Sequence, residues 1–428
     1  MFKRYVTDKK ISLLLLGAVF FSYTFVYMTK NCFSSAMVYI VDEGFMTKFQ
    51  TGVITSVFWL AYAITQLFGG AIVDKHKPEH FITLGMIGSG IANLLIYFFY
   101  DNYTATLIIW ICNAIIQFGV WPAAFKIIST MLKEEHRKRG MVIAVIANPL
   151  GIMLSYTLVL FVSKWQYNFL ISAVGLFVLS IAWIIVVSLT KSKVVEERDE
   201  NLSPPATQKY AISPSNKISI TAMIFSSGLI FSFIIAFVRN MIDQIKTLVP
   251  TMINESYDEL SPSLATVMSL LVIFGCVCGP VFSHQLSKLF KNEYIATAVL
   301  IGATIPFVLV TFLIGYINYW IVIVALTIII MLTSAASFFL TSLLPMRFNA
   351  FGRGTTVSGA INCFSALGNV AAGFILTLIA EKLGWLATLE FTLALIVVAV
   401  LCSLAASVIW KKFQRKIFNK GDIYYEHK

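Results

Sequence analysis

The stretch TGVITSVFWLAYAITQLFGG (51–70) carries no charge, and AIVDKHKP (71–78) follows it with Asp74, Lys75, His76 and Lys77. About 20 consecutive apolar residues cross the hydrocarbon core of a bilayer as a helix. A run of that length ending abruptly in charge therefore reads as a membrane span closing at an aqueous face. Similar runs recur on both sides of it, centred near residues 20, 90, 117, 150, 178, 232, 272, 304, 332, 367 and 398. With the first run they give about twelve spans. Composition agrees: 58% of the 428 residues are hydrophobic and 12% charged, where soluble chains carry roughly 25% charged residues. The solvent this sequence expects is lipid, and the fold class is an all-α membrane protein.

The loops are short except from Lys191 to Lys217, which contains VEERDE and SPPATQ. Polar, Pro- and Ser-rich segments of this kind act as linkers. The expected organisation is an N-terminal six-helix bundle (1–190), a cytoplasmic linker (191–217), a C-terminal six-helix bundle (218–412) and a cytoplasmic tail (413–428). The first run leads into Tyr27 and Lys30 without a small-residue cleavage site and reads as a retained helix, not a removed leader. Basic residues orient the chain. With the N-terminus inside, the external loops hold only Lys48, Lys164 and Lys382, while Lys30, Lys126, Arg239 and Lys246 fall within spans. The other Lys and Arg residues lie on the cytoplasmic side. Both termini are expected there, in a plasma membrane, and the net charge of +11 calls for no nucleic acid.

The two halves look duplicated. Gly70 and Asp74 return as Gly279 and Ser283, and Lys30-Asn31 returns as Arg239-Asn240 at the same spacing. Arg139-Gly140 returns as Arg353-Gly354, with Asn148 and Asn362 equally far beyond. Repeated bundles place a solute site near the bilayer midplane, between the halves.

Charge inside a membrane costs roughly 3 kcal/mol or more and usually faces a cavity or a partner. Lys30 shares a helical face with Tyr23 and Tyr27, and every acid of the first half falls in a loop or at a helix end. An uncompensated cation beside tyrosines suits an anionic ligand. Arg239 occupies the equivalent place in the second half. Asp243, one turn on, could neutralise it or share its charge with Lys246. Lys246 lies nearer the outer end and Lys126 near the cytoplasmic face, and both are expected to snorkel to the surface. Asp243, and more weakly Glu390, are the candidates for a proton-coupling group. Asn148, Asn362, Gln66 and Tyr62 could line a cavity or bind helix to helix. Trp121-Pro122 could be a cavity wall or a packing kink. Asp74 and Lys75 at the cytoplasmic turn suit a gate latch, with the carboxylate capping a neighbouring helix N-terminus.

No nucleotide-binding loop, catalytic triad or metal-ligand cluster is apparent. The 5 histidines sit at cytoplasmic edges and the 6 cysteines fall in apolar runs. Neither an enzyme nor a bound cofactor or metal is expected.

The pattern GGAIVDKHKP (69–78), within duplicated six-helix halves, resembles the major facilitator superfamily over the whole chain. YMTKNCFSSAMVYIVDEGF (27–45), WPAAFK (121–126) and KRG (138–140) are similar to the organophosphate–phosphate antiporter family. That resemblance implies exchange of phosphate for phosphorylated metabolites, with the anion held by one arginine per half. The first arginine falls on Lys30, which offers a point charge instead of a bidentate fork. The family's tyrosines fall on Tyr23, Tyr27 and Tyr62, its second-helix lysine on Gln66, and its fifth-helix histidine on Leu150. In the seventh helix, alignment on Pro250 selects Ile242, whereas the internal repeat selects Arg239, one turn away.

The expected function is secondary active transport of a small organic anion by alternating access, by a monomer in the bilayer. Two cations about 10 Å apart at an effective dielectric near 20 repel by roughly 1.7 kcal/mol, and an anion would remove that repulsion. The rival expectation is a proton-coupled symporter or effluxer of a neutral or cationic compound.

Overall fold

The computed structural model describes residues 2–6, 8–191, 193–198, 220–257, 262–315 and 318–417. Among these, nine helices are long and apolar enough to cross a membrane. In the first half they are α1 (Lys9–Asp42), α2 (Lys48–Lys75), α3 (Pro78–Phe99), α4 (Tyr103–Met131), α5 (Glu134–Phe161) and α6 (Tyr167–Lys191). Local chemistry sets their starts. Asp8 accepts from Lys10 N–H at 2.7 Å at the head of α1. Thr47 and Gln50 form a reciprocal capping box at the head of α2, which satisfies two otherwise orphaned donors. Asn102 caps α4 through Ala105 N–H at 3.0 Å.

The second half contains α7 (Ile220–Ser227), α8 (Leu229–Asp243), α9 (Ile245–Ser256), α10 (Pro262–Leu286), α11 (Glu293–Leu313) and α12 (Tyr319–Arg347). The continuous run Gly354–Ile417 is two helices, α13 (354–383) and α14 (385–417), meeting at Gly384. Its φ of 86° lies in the left-handed region, which glycine enters without a Cβ penalty. Every span expected from the apolar runs falls on a helix.

The chain forms two compact units: Met1–Asp199 with Thr355–Val370, and Glu200–Gly354 with Ala371–Lys428. The first 16 residues or so of α13 thus belong with the first unit. In that unit α1 packs on α5 and α6. A Cβ on Gly151 would stand 2.4 Å from the Thr24 carbonyl oxygen and 2.6 Å from Tyr27 Cβ, so only glycine lets α5 approach α1 there. A Cβ on Gly70 would meet the Thr355 carbonyl oxygen at 2.4 Å. In the second unit α10 lies along α12, and Ser283 donates to the Ala335 carbonyl at 2.7 Å. Large side chains such as Phe68, Phe98, Phe225 and Leu313 stand exposed on the helices, as lipid-facing positions require.

The stretch expected as a linker begins differently. Val194–Arg198 is a strand, β2, paired antiparallel with β1 (Phe2–Val6). In the register Lys3 opposes Glu197 and Arg4 opposes Glu196, an arrangement of opposite charges that favours pairing. The acidic end of this stretch thus pairs with the basic N-terminus. Residues 199–217 of the linker, with Lys209 and Lys217, and residues 418–428 of the tail lie outside the described residues.

Candidate functional site

In the first unit the chemistry gathers on α1, α2, α4 and the start of α13. Lys30 is 4% exposed. Its ammonium lies over the rings of Tyr62 (3.3 Å to the centroid), Trp59 (4.7 Å), Tyr27 (5.0 Å) and Phe58 (5.6 Å). Among the described residues it makes no ion pair and no hydrogen bond. Among the described residues, what surrounds this buried amine is thus a set of ring faces, whose quadrupoles attract a cation. Tyr23 meets Tyr27 edge to face (centroids 4.9 Å apart, planes at 76°) and lies tilted against Trp121 (5.3 Å, 34°).

Next to this aromatic wall lies a polar chain. Asn362 Nδ2 donates to Tyr62 Oη at 3.1 Å and to Gln66 Oε1 at 3.0 Å, and Gln66 Nε2 donates to the Phe118 carbonyl at 2.8 Å. Trp121 Nε1 donates to Ser358 Oγ at 2.9 Å. So Tyr62, Gln66, Trp121 and Asn362 are brought together. Asn148 is half-buried and makes no hydrogen bond among the described residues.

At the cytoplasmic end of α2, the Asp74 carboxylate accepts from Thr356 N–H at 2.9 Å and Thr356 Oγ at 2.5 Å. It thereby caps the first turn of α13, where a negative charge is favoured. Lys75 beside it is exposed. Lys126 does not snorkel. Its Nζ donates to the carbonyls of Val73 (2.7 Å), Asp74 (2.9 Å) and His76 (2.9 Å). These carbonyls end α2, where a helix has unpaired acceptors and partial negative charge, so a nearby lysine is held by them.

In the second unit Arg239, 6% exposed, projects from α8. Its Nη2 donates to Asn240 Oδ1 and its Nη1 to the Thr333 carbonyl at 3.4 Å, while its buried Nε has no hydrogen-bond partner among the described residues. Among the described residues Asp243 makes no direct ion pair with it, although the two charges interact. The carboxylate forms its ion pair with Lys246, and both contact Cys276 Sγ, Lys246 at 3.6 Å and Asp243 at 3.9 Å. Lys246 is only 9% exposed, so the expectation that it reaches the surface is also corrected. An acid one turn away offers a buried ammonium more than a long route to water does. Glu390, on α14, is exposed. Ile242 is fully buried and apolar.

Sequence reasoning missed Phe58 and Trp59, although a signal existed. Both lie at i−4 and i−3 from Tyr62 and so share its helical face. Ser358, Thr356, Thr333 and Cys276 were also missed, and no spacing rule links them to their partners.

Two repeated helical bundles with a buried cation in each define a multi-pass α-helical membrane protein. The Major Facilitator Superfamily pattern matches residues 19–373, and the chain belongs to that family, which comprises membrane transporters and not enzymes. It is similar to the membrane sensor protein UhpC of Escherichia coli (strain K12), with 23% identity over 123 residues, 29% of this chain and 28% of that protein. It is also similar to a probable hexose phosphate transport protein of Chlamydia muridarum (strain MoPn / Nigg), with 31% identity over 123 residues, 28% of this chain and 26% of the other. The match thus spans little more than a quarter of either relative. Among solved structures, the transporter FucP in its outward conformation superposes with a TM-score of 0.68 at 14% identity, over 93% of this chain and 99% of that one. This last likeness speaks to the fold.

Proposed function

We propose that the chain is a secondary carrier of a small organic anion, in the first place a phosphorylated metabolite exchanged for inorganic phosphate. One observation carries the reading: each unit buries a cation, Lys30 or Arg239, that has no carboxylate paired to it among the described residues. Burying a charge without a partner is strongly unfavourable, and an anionic solute supplies the partner. The three N–H donors of Lys30 and the free Nε of Arg239 are matched to phosphate oxygens. Tyr62, Gln66 and Asn362 supply neutral donors and acceptors beside Lys30, and Tyr23, Tyr27 and Trp121 supply ring faces for the rest of the solute. Asp74 acts as a latch that favours one conformation by capping α13. The similarity to a probable hexose phosphate transport protein supports a phosphorylated solute.

Because occupancy removes the charge penalty, the loaded carrier reorients more readily than the empty one, which favours exchange over net flux. The protein works as a monomer in the plasma membrane with both termini in the cytoplasm. The test uses proteoliposomes containing the purified protein. Uptake of labelled glucose 6-phosphate is expected with phosphate inside and at least tenfold less without it. Uptake that ignores internal phosphate but follows an imposed pH gradient would replace exchange by proton coupling. Binding of phosphate with no flux would align the chain with its sensor relative instead.

A further inference from the structure

The aromatic surround of Lys30 does more than accommodate a cation. Phe58, Trp59 and Tyr62 converge because α2 presents them on one face, and Tyr27 precedes Lys30 by one turn on α1. The ammonium nearly touches one ring face, Tyr62 at 3.3 Å, while the other rings stand 4.7 to 5.6 Å away. Ring faces stabilise positive charge, most strongly where water is excluded, but they leave the ammonium's three N–H donors without oxygen acceptors. Charge and donors are thus served by different groups, the charge by the rings and the donors by whatever oxygen arrives.

Resting on the anion reading above, we propose that the box of Tyr27, Phe58, Trp59 and Tyr62 is the resting place of the Lys30 side chain and competes with the anion for its ammonium. Phe58 and Trp59 are then positioning residues that set specificity and release without touching the solute. A strong box weakens anion binding and speeds departure, because the ammonium has somewhere to return. A weak box leaves the ammonium with the anion. The compact ammonium fits this enclosure, whereas the broad planar guanidinium of an arginine could stack on only one or two of the rings.

The test is equilibrium binding of inorganic phosphate and of glucose 6-phosphate to the purified full chain, read alongside exchange in proteoliposomes. Trp59→Leu is expected to lower Kd about fivefold while slowing exchange, the scale of one ring face acting on a desolvated cation. A graded series with mono-, di- and trifluorotryptophan placed site-specifically at position 59 keeps the shape and drains the ring quadrupole. It is expected to lower Kd stepwise, and it carries the test if Trp59→Leu fails to fold. A merely structural role would leave the series flat. Unchanged or weaker binding across the series, in a protein whose wild type binds phosphate and exchanges it, overturns the box proposal alone. A wild type that binds neither probe overturns the anion reading and the box with it.

Discussion

Replacing Lys126 with methionine separates the sequence expectation from the observed geometry. Snorkelling to lipid headgroups would make Lys126→Met nearly neutral, because methionine keeps most of the stem. Instead the ammonium donates to three carbonyls at the end of α2, at 2.7, 2.9 and 2.9 Å. A hydrogen bond to a charged group contributes about 1.5–3 kcal/mol, and a buried acceptor left unpaired costs about 1–3 kcal/mol. The three bonds share one donor group and His76 is exposed, so water can replace part of the loss and the contributions do not add. The expected destabilisation is about 2–4 kcal/mol. Unfolding in graded mixtures of sodium dodecyl sulfate and dodecyl maltoside measures it, with Lys126→Arg expected to retain about half of the lost stability. A Lys126→Met protein within about 0.5 kcal/mol of wild type would refute the reasoning and return the side chain to the membrane surface.

Asp74→Asn removes charge from the first turn of α13 and keeps the shape, so it should weaken the cap by about 1–2 kcal/mol. The population open to the cytoplasm should then rise about 5- to 30-fold, read by maleimide labelling of a cysteine introduced at the buried position 358 (Ser358→Cys). Unchanged labelling would remove the latch. Asp243→Asn strands the Lys246 ammonium in a buried site and should cost about 3–5 kcal/mol, seen as lost expression or a lower unfolding midpoint. Adding Lys246→Met should recover stability, and phosphate exchange should persist in the double variant. Loss of all transport in a stable double variant would move Asp243 into the coupling machinery.

What the sequence made legible follows from which interactions are local. Charge-free runs such as 51–70 identify spans by themselves, because lipid forces every backbone group into a helix. The repeated placement of Lys30-Asn31 and Arg239-Asn240 pointed to both buried cations. Gln66 and Gly275 hold equivalent places in the repeat and meet equivalent partners. Gln66 bonds the Phe118 carbonyl, and a Cβ on Gly275 would stand 2.6 Å from the Thr327 carbonyl. Long-range pairings were not legible. Depth along a helix suggested that Lys126 and Lys246 reach water, but their fate was decided by carbonyls on α2 and by the carboxylate of Asp243. Phe58 and Trp59 share the helical face of Tyr62 in sequence, but spacing alone does not say what that face meets. Only the meeting of α1 with α2 turns them toward an ammonium. The strand Val194–Arg198 was hidden because its partner, Phe2–Val6, lies far away at the N-terminus.

The central claim is that Lys30 and Arg239 are the charge partners of an anion. Its most direct measurement is titration calorimetry of inorganic phosphate against the wild-type protein, Lys30→Gln and Arg239→Gln in the same lipid nanodiscs. Each variant is expected to bind about 30-fold more weakly or worse, the scale for removing one partner of a desolvated charge pair, with its unfolding midpoint unchanged or raised. Wild-type affinity in both variants would contradict the account.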